Sequence, residues 1–136
     1  EHLLLKNLIL KAFECAVTMR LSQTPISADA AFGVTLWQNA HRYWQVQYTR
    51  QQTQWMLVLN QWEGTLCRSL ASVPLSPTFE AIRWHTLRLR NEHGGLTVYV
   101  DGSELFQVTF SEQSLQLGLH THHAAALVMD VWQTGL

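Results

Sequence analysis

The chain has 136 residues, of which 47% are apolar and 14% charged, with a formal net charge of −1. That length fits one domain with a real core. The charge balance excludes a nucleic-acid binder, which needs clustered Lys and Arg to neutralise several phosphates; here the seven Arg are scattered and the only lysines are Lys6 and Lys11. No apolar run reaches the length of a membrane span, so no membrane insertion is expected. The first residue is Glu1 and no leader is visible, so residues 1–136 read as a single domain excised from a longer chain.

Leu3–Leu10 is apolar-rich and reads as a strand, with a short amphipathic helix as the alternative. Phe13–Leu21 alternates clearly, with Phe13, Cys15 and Val17 on one side and Glu14 on the other. Residues 22–30, with Pro25 and small polar residues, read as a loop. Strands follow at Ala31–Trp37, Tyr43–Thr49 and Trp55–Asn60, joined by polar turns, with a shorter one at Gly64–Leu70. Residues 71–83 carry Pro74 and Pro77 and read as a long loop with a helical turn near Thr78–Ile82.

Trp84–Asn91, Leu96–Val100 and Glu104–Phe110 form a strand–turn–strand–turn–strand run. Its turns contain Gly94-Gly95 and Asp101-Gly102, and Asp-Gly is a strong hairpin signal because both residues tolerate positive φ. Leu115–His120 and Ala125–Gln133 complete a set of roughly nine to eleven short strands, which specifies a sandwich or barrel. The inward set is expected to be Phe13, Val17, Leu36, Trp44, Val46, Leu87, Leu89, Val98 and Val100, packed between two sheets. Trp84 is assigned to the core with Trp44. Cys15 and Cys67 fit no metal spacing and read as two buried thiols, a bridge being the alternative.

Several segments in this order resemble the concanavalin A-like lectin/glucanase superfamily, in its bacterial laminin-G-like branch. They are Ala31-Phe32-Gly33-Val34-Thr35-Leu36-Trp37, Trp84-His85-Thr86, Val98-Tyr99-Val100-Asp101-Gly102, Leu117-Gly118-Leu119 and the closing Val128-Met129-Asp130-Val131-Trp132. The resemblance covers roughly residues 12–133. It implies an all-β, two-sheet antiparallel jelly-roll sandwich and a carbohydrate-related surface, but relatives include sugar-binding modules, accessory and adhesion domains and hydrolases. Asp130 departs from the Asn that relatives often carry in the last strand.

Six Trp in one small domain are the main compositional oddity. Aromatic rings can stack on the apolar face of a sugar while neighbouring amides bond its hydroxyls. If Val34 and Leu36 face inward, Trp37 faces out, and so do Tyr43, Gln45 and Gln47. These four, with Arg20 or Thr18 at the border, make the candidate glycan platform, expected to be open to solvent; a merely solvated face or a domain interface are the alternatives. Trp62, placed in a turn at 60–64, is the second aromatic candidate. Polar but uncharged strand faces suit a neutral carbohydrate.

His120 and His122, at i and i+2, are the only pair resembling metal ligands, and nothing adjacent completes a set. Calcium is weakly supported because acidic residues are sparse, and Asp29 and Asp101 read as turn residues; no cofactor is expected. For hydrolysis of a glycosidic bond two carboxylates must flank a groove, and Glu14 is the one mid-strand candidate. No nucleophile elbow, phosphate loop or partnered Cys is present. The expectation is therefore a non-catalytic carbohydrate-binding or accessory module of a larger secreted, periplasmic or cell-surface protein, with neighbouring domains as further partners. The alternatives are a small glycosidase-like hydrolase and a structural sandwich packing on a partner domain.

Overall fold

The computed structural model describes residues 2–10, 12–112 and 114–136, the first of these segments by its backbone alone. Among the described residues there are eleven strands: β1 (His2–Leu10), β2 (Phe13–Leu21), β3 (Ala31–Asn39), β4 (Arg42–Gln51), β5 (Gln54–Glu63), β6 (Leu66–Pro74), β7 (His85–Glu92), β8 (Gly95–Val100), β9 (Ser103–Thr109), β10 (Leu115–His122) and β11 (Ala126–Gly135). They form two sheets, a six-stranded one in the order β1-β10-β3-β4-β5-β6 and a five-stranded one in the order β11-β2-β7-β8-β9. Every pairing is antiparallel. This is the expected all-β jelly-roll sandwich. Among the described residues no helix is long and apolar enough to cross a membrane.

Each strand with one apolar face must bury it, and the two sheets do so against each other. All nine residues assigned inward lie in one buried cluster, extended by Phe32, Tyr48, Leu57, Leu59, Leu96, Leu115 and Leu117. Full burial of each such side chain stabilises by about 1.5–3 kcal/mol. Trp44 packs edge-on against Phe110, with ring centroids 5.2 Å apart. The β7–β8 and β8–β9 hairpins turn on His93-Gly94 and Asp101-Gly102, and all four residues have positive φ, as two-residue primed turns require.

Trp84 is a correction. It is 42% exposed and precedes β7, with Arg20 lying over its ring. Strand alternation explains this: Leu87 and Leu89 share a face with His85, so Trp84, three residues before Leu87, projects the other way. The expected strand at Gly64–Leu70 begins and ends later, at Leu66–Pro74, because Gly64 with φ +61° serves the turn and Pro74 closes an edge strand. The helical turn near Thr78–Ile82 is absent. Two separate turns stand there instead, closed by Phe79 N–H to Ser76 O and Arg83 N–H to Glu80 O.

The cysteines are also corrected in part. Both are free, but only Cys15 is buried; Cys67 is exposed on edge strand β6. Burial pushes the Cys15 thiol up to about 12.

Candidate functional site: an aromatic ladder on the six-stranded sheet

The inward residues of β3, β4 and β5 alternate with a second set that faces away from the other sheet. Register places that outer set in rows across the strands. One row runs Gln116–Trp37–Tyr43–Trp62–Cys67, and the next runs Gly118–Thr35–Gln45–Asn60–Ser69. A third runs His120–Gly33–Gln47–Val58–Ser72. Trp37, Tyr43, Gln45 and Gln47 thus share one outer face, and Trp62 joins them.

The first row is a stacked ladder. Trp37 and Tyr43 lie 5.0 Å apart between centroids at 20°, and Tyr43 and Trp62 lie 6.1 Å apart at 15°. Rings on adjacent strands spaced about 4.8 Å apart meet face to face, so the middle ring, Tyr43, has both faces occupied. The faces left for a ligand belong to the end rings. Trp62 turns its second face toward β6, where its register partner is the small, exposed Cys67. Asn60 and the exposed Ser69, one row on, make no side-chain hydrogen bond among the described residues.

Gln45 fixes the ladder's end. Trp62 Nε1–H donates to Gln45 Oε1 at 2.8 Å, and Gln45 Nε2 sits 3.1 Å from His120 Nδ1 and 3.2 Å from Nε2. An indole can only donate, so the amide orientation is settled: Oε1 accepts from Trp62 and Nε2 donates to the ring of His120. Burial raises the Tyr43 phenol above its ordinary range, with a smaller contribution from Cys67.

Three sequence expectations for this face change. Gln45 and Gln47 are 4% and 7% exposed, so they form the floor of the face rather than a solvent-facing surface. Tall neighbours and close strands cover them; Gln45 lies beneath its Trp62 and His120 partners, and Gln47 lies beside Gly33, where β3 and β4 approach tightly. Arg20 and Thr18 are not at the border. They lie on β2 of the five-stranded sheet, where Arg20 bonds the Leu21 carbonyl and Thr18 bonds Thr86. Trp62 belongs to β5 and not to a turn, because β5 continues to Glu63 and the chain reverses at Gly64.

Glu14 lies away from the ladder as well. It is on the outer face of the five-stranded sheet, where Arg88 Nη1 donates to its Oε1 at 3.0 Å and Arg90 Nη1 to its Oε2 at 2.9 Å. Arg88 also covers the Tyr99 ring at 4.0 Å. Glu14 is thus bracketed by two guanidiniums, and its neighbouring carboxylate, Glu92, is tied to the same Arg90, whose Nε donates to Glu92 Oε1 at 2.7 Å.

His120 and His122, the pair the sequence offered as weak metal candidates, are not brought together, since His120 turns to Gln45. His122 joins His123 and Asp29 instead. Hydrogen bonds from His123 and Ser27 hold the Asp29 carboxyl well below the usual carboxylate range.

Asn60, Ser69 and the site role of His120 were missed from the sequence. Extending the alternation of β5 by three residues beyond Asn60 would have placed Asn60 and Trp62 on one face.

No protein-family model and no curated protein sequence matches the chain. Solved structures do match in fold. A carbohydrate-binding module, CBM66, from Bacillus subtilis is 13% identical with a TM-score of 0.74, over 93% of this chain and 77% of that one. CG-16, a homodimeric agglutinin from chicken liver, is 10% identical with a TM-score of 0.72, over 98% of this chain and 100% of that one. The Caenorhabditis elegans galectin LEC-6 is 12% identical with a TM-score of 0.62, over 98% and 89%. At such identities the likeness is one of fold: the jelly-roll sandwich is shared, and the laminin-G-like branch is not singled out.

Proposed function

We propose that this domain is a non-catalytic carbohydrate-binding module that holds a neutral sugar against Trp62, on the outer face of the six-stranded sheet. The observation that carries the reading is the Trp62 ring itself. One face is backed by Tyr43, its N–H is pinned by Gln45, and its other face looks over the short side chains of β6. A pinned ring loses little entropy on binding, and an apolar ring face beside amide and hydroxyl groups is what a pyranose offers and needs. Asn60 and Ser69 supply the hydrogen-bonding groups, and no charged side chain stands in the two ladder rows. The fold it shares with a carbohydrate-binding module and with galectins agrees with this reading.

A module that grips a polysaccharide acts where the polymer is. The reading therefore carries with it a secreted, periplasmic or cell-surface location and a parent chain with further domains. Glu14, the carboxylate of the hydrolase alternative, lies on the five-stranded sheet, away from Trp62, and is paired with Arg88 and Arg90.

The test is a panel of neutral oligosaccharides titrated into the intact chain by calorimetry, beside Trp62→Ala. Binding to at least one sugar, weakened in the variant by about 1–3 kcal/mol with the fold intact, is expected. An absence of binding across the panel, or binding indifferent to Trp62, refutes the reading.

A further inference from the structure

We propose that Asp29, His122 and His123 form a binding site for a divalent transition-metal ion of the zinc type, which ties the loop between β2 and β3 to the turn between β10 and β11. The site is independent of the sugar reading. Its assembly follows from register: His122 pairs with Ala31 at the start of β3, so the antiparallel strands bring the residues before Ala31 alongside those after His122. Asp29 and His123 meet there although they are 94 residues apart in sequence.

The spacing suits a metal. Tetrahedral zinc holds nitrogen and carboxylate oxygen at about 2.0–2.1 Å, which sets neighbouring ligand atoms about 3.3 Å apart. Here His123 Nδ1 lies 2.9 Å from Asp29 Oδ1, and His122 Nε2 lies 3.5 Å from Asp29 Oδ2. One ligand atom from each residue can be chosen so that all three fall within 4.8 Å of one another. The two imidazoles stack at 3.9 Å between centroids and 30°, so both direct a nitrogen at the same carboxylate. Small rotamer adjustments bring such a set onto one ion.

The donor set also selects the ion. Two imidazoles and one carboxylate favour zinc, copper or nickel over calcium and magnesium, which take mostly oxygen ligands in larger numbers. Three protein ligands leave a fourth position for water. Ser27 hydrogen-bonds Asp29 Oδ1 and lies 3.4 Å from His123 Nδ1, a partner of the kind that orients metal ligands from outside the coordination shell. All three ligand residues are exposed, so an ion reaches them directly from solvent. Without an ion the same exposed atoms contact only one another, and such surface contacts contribute little to stability.

The experiment uses the intact chain after treatment with a chelator. Zn2+ alone is titrated by calorimetry, and Co2+ is added in parallel to read its visible absorption. Expected are uptake of one ion per chain, a rise in melting temperature, and the stronger visible bands of four-coordinate cobalt. Asp29→Asn should weaken uptake by roughly tenfold or more and His122→Gln/His123→Gln should abolish it, both with unchanged far-ultraviolet dichroism. His41→Gln/His93→Gln, removing two other exposed imidazoles, should leave uptake intact. No stoichiometric uptake, or uptake that survives in His122→Gln/His123→Gln, overturns the proposal.

Discussion

Trp62 and Gln45 are joined across β5 and β4 by an indole N–H that donates to the amide oxygen at 2.8 Å, and the same amide reaches His120 on β10 through its nitrogen. One side chain thus links three strands of the sheet, β10, β4 and β5, and fixes the ring on which the sugar reading depends. Gln45→Ala removes both partners at once. The indole N–H and the His120 ring nitrogen are then left without that partner, at a cost of about 1–3 kcal/mol in stability. Denaturant melts should show that loss, and tryptophan fluorescence should report a freed Trp62. Sugar affinity should fall by less than in Trp62→Ala, because the ring remains.

The ladder ranks its own members. Trp62 has an open face beside short β6 residues, whereas Trp37 faces Tyr43 on one side and Gln116 across β10 on the other. Trp37→Ala is therefore expected to weaken sugar binding clearly less than Trp62→Ala. Parallel titrations of the two variants decide it; a larger effect at Trp37 would move the binding surface to the β10 side.

The strands, the hairpins and the nine-residue core were legible because alternation and Asp-Gly turns report local geometry directly. Alternation also put Trp37, Tyr43, Gln45 and Gln47 on one face. It says which side of its own strand a residue takes, but not which sheet that strand joins. Arg20 was therefore grouped with residues that belong to the other sheet. An odd spacing misled the reading of Trp84, and a strand end set too early hid Trp62 and Asn60. Burial of Gln45 and Gln47 depends on neighbours brought in from β3, β5 and β10, which no window of the sequence contains. The Asp29–His122–His123 cluster was illegible for the same reason: its members meet only through the β3–β10 register.

Gly33 marks a close approach that a side chain cannot share. A Cβ there would stand 2.2 Å from the Val46 carbonyl oxygen and 2.6 Å from Gln47 Cα, both backbone atoms of β4. Gly33→Ala must push β3 and β4 apart beneath the ladder, at a cost of about 1–3 kcal/mol or more. Gly135→Ala, with nothing within 4 Å of its Cβ position, serves as the neutral comparison. Equal melting temperatures for the two would contradict the packing described.

Glu92 gives the fold a small acid-side dependence. Arg90 Nε donates to its Oε1 at 2.7 Å, which lowers the carboxyl below its ordinary value of 4.5, assisted by the Arg90 and His93 charges and opposed by desolvation. A carboxyl with a depressed folded value stabilises the fold fully above its unfolded value, and that contribution fades as pH falls through the folded one. The melting-temperature gap between the native chain and Glu92→Gln should be widest near neutrality, close below about pH 4.5, and shrink in high salt. A gap that widens on acidification would contradict the assignment.

The two thiols should differ sharply toward an alkylating reagent, and the difference reaches the candidate site. Cys15 is buried in the core, with its thiol pushed up to about 12, and the thiolate is the reactive form. Cys67 is exposed and stands opposite Trp62 on edge strand β6; partial burial raises its thiol too, which slows reaction without closing access. Mass spectrometry should find one adduct in the folded chain, at Cys67, and two only after unfolding. A bulky group on Cys67 would occupy the space over the open face of Trp62, so the modified chain should lose sugar binding while keeping its melting temperature. Bound sugar should in turn slow the modification. If the adduct forms at Cys67 and sugar affinity stays unchanged, the ligand does not sit between Trp62 and β6.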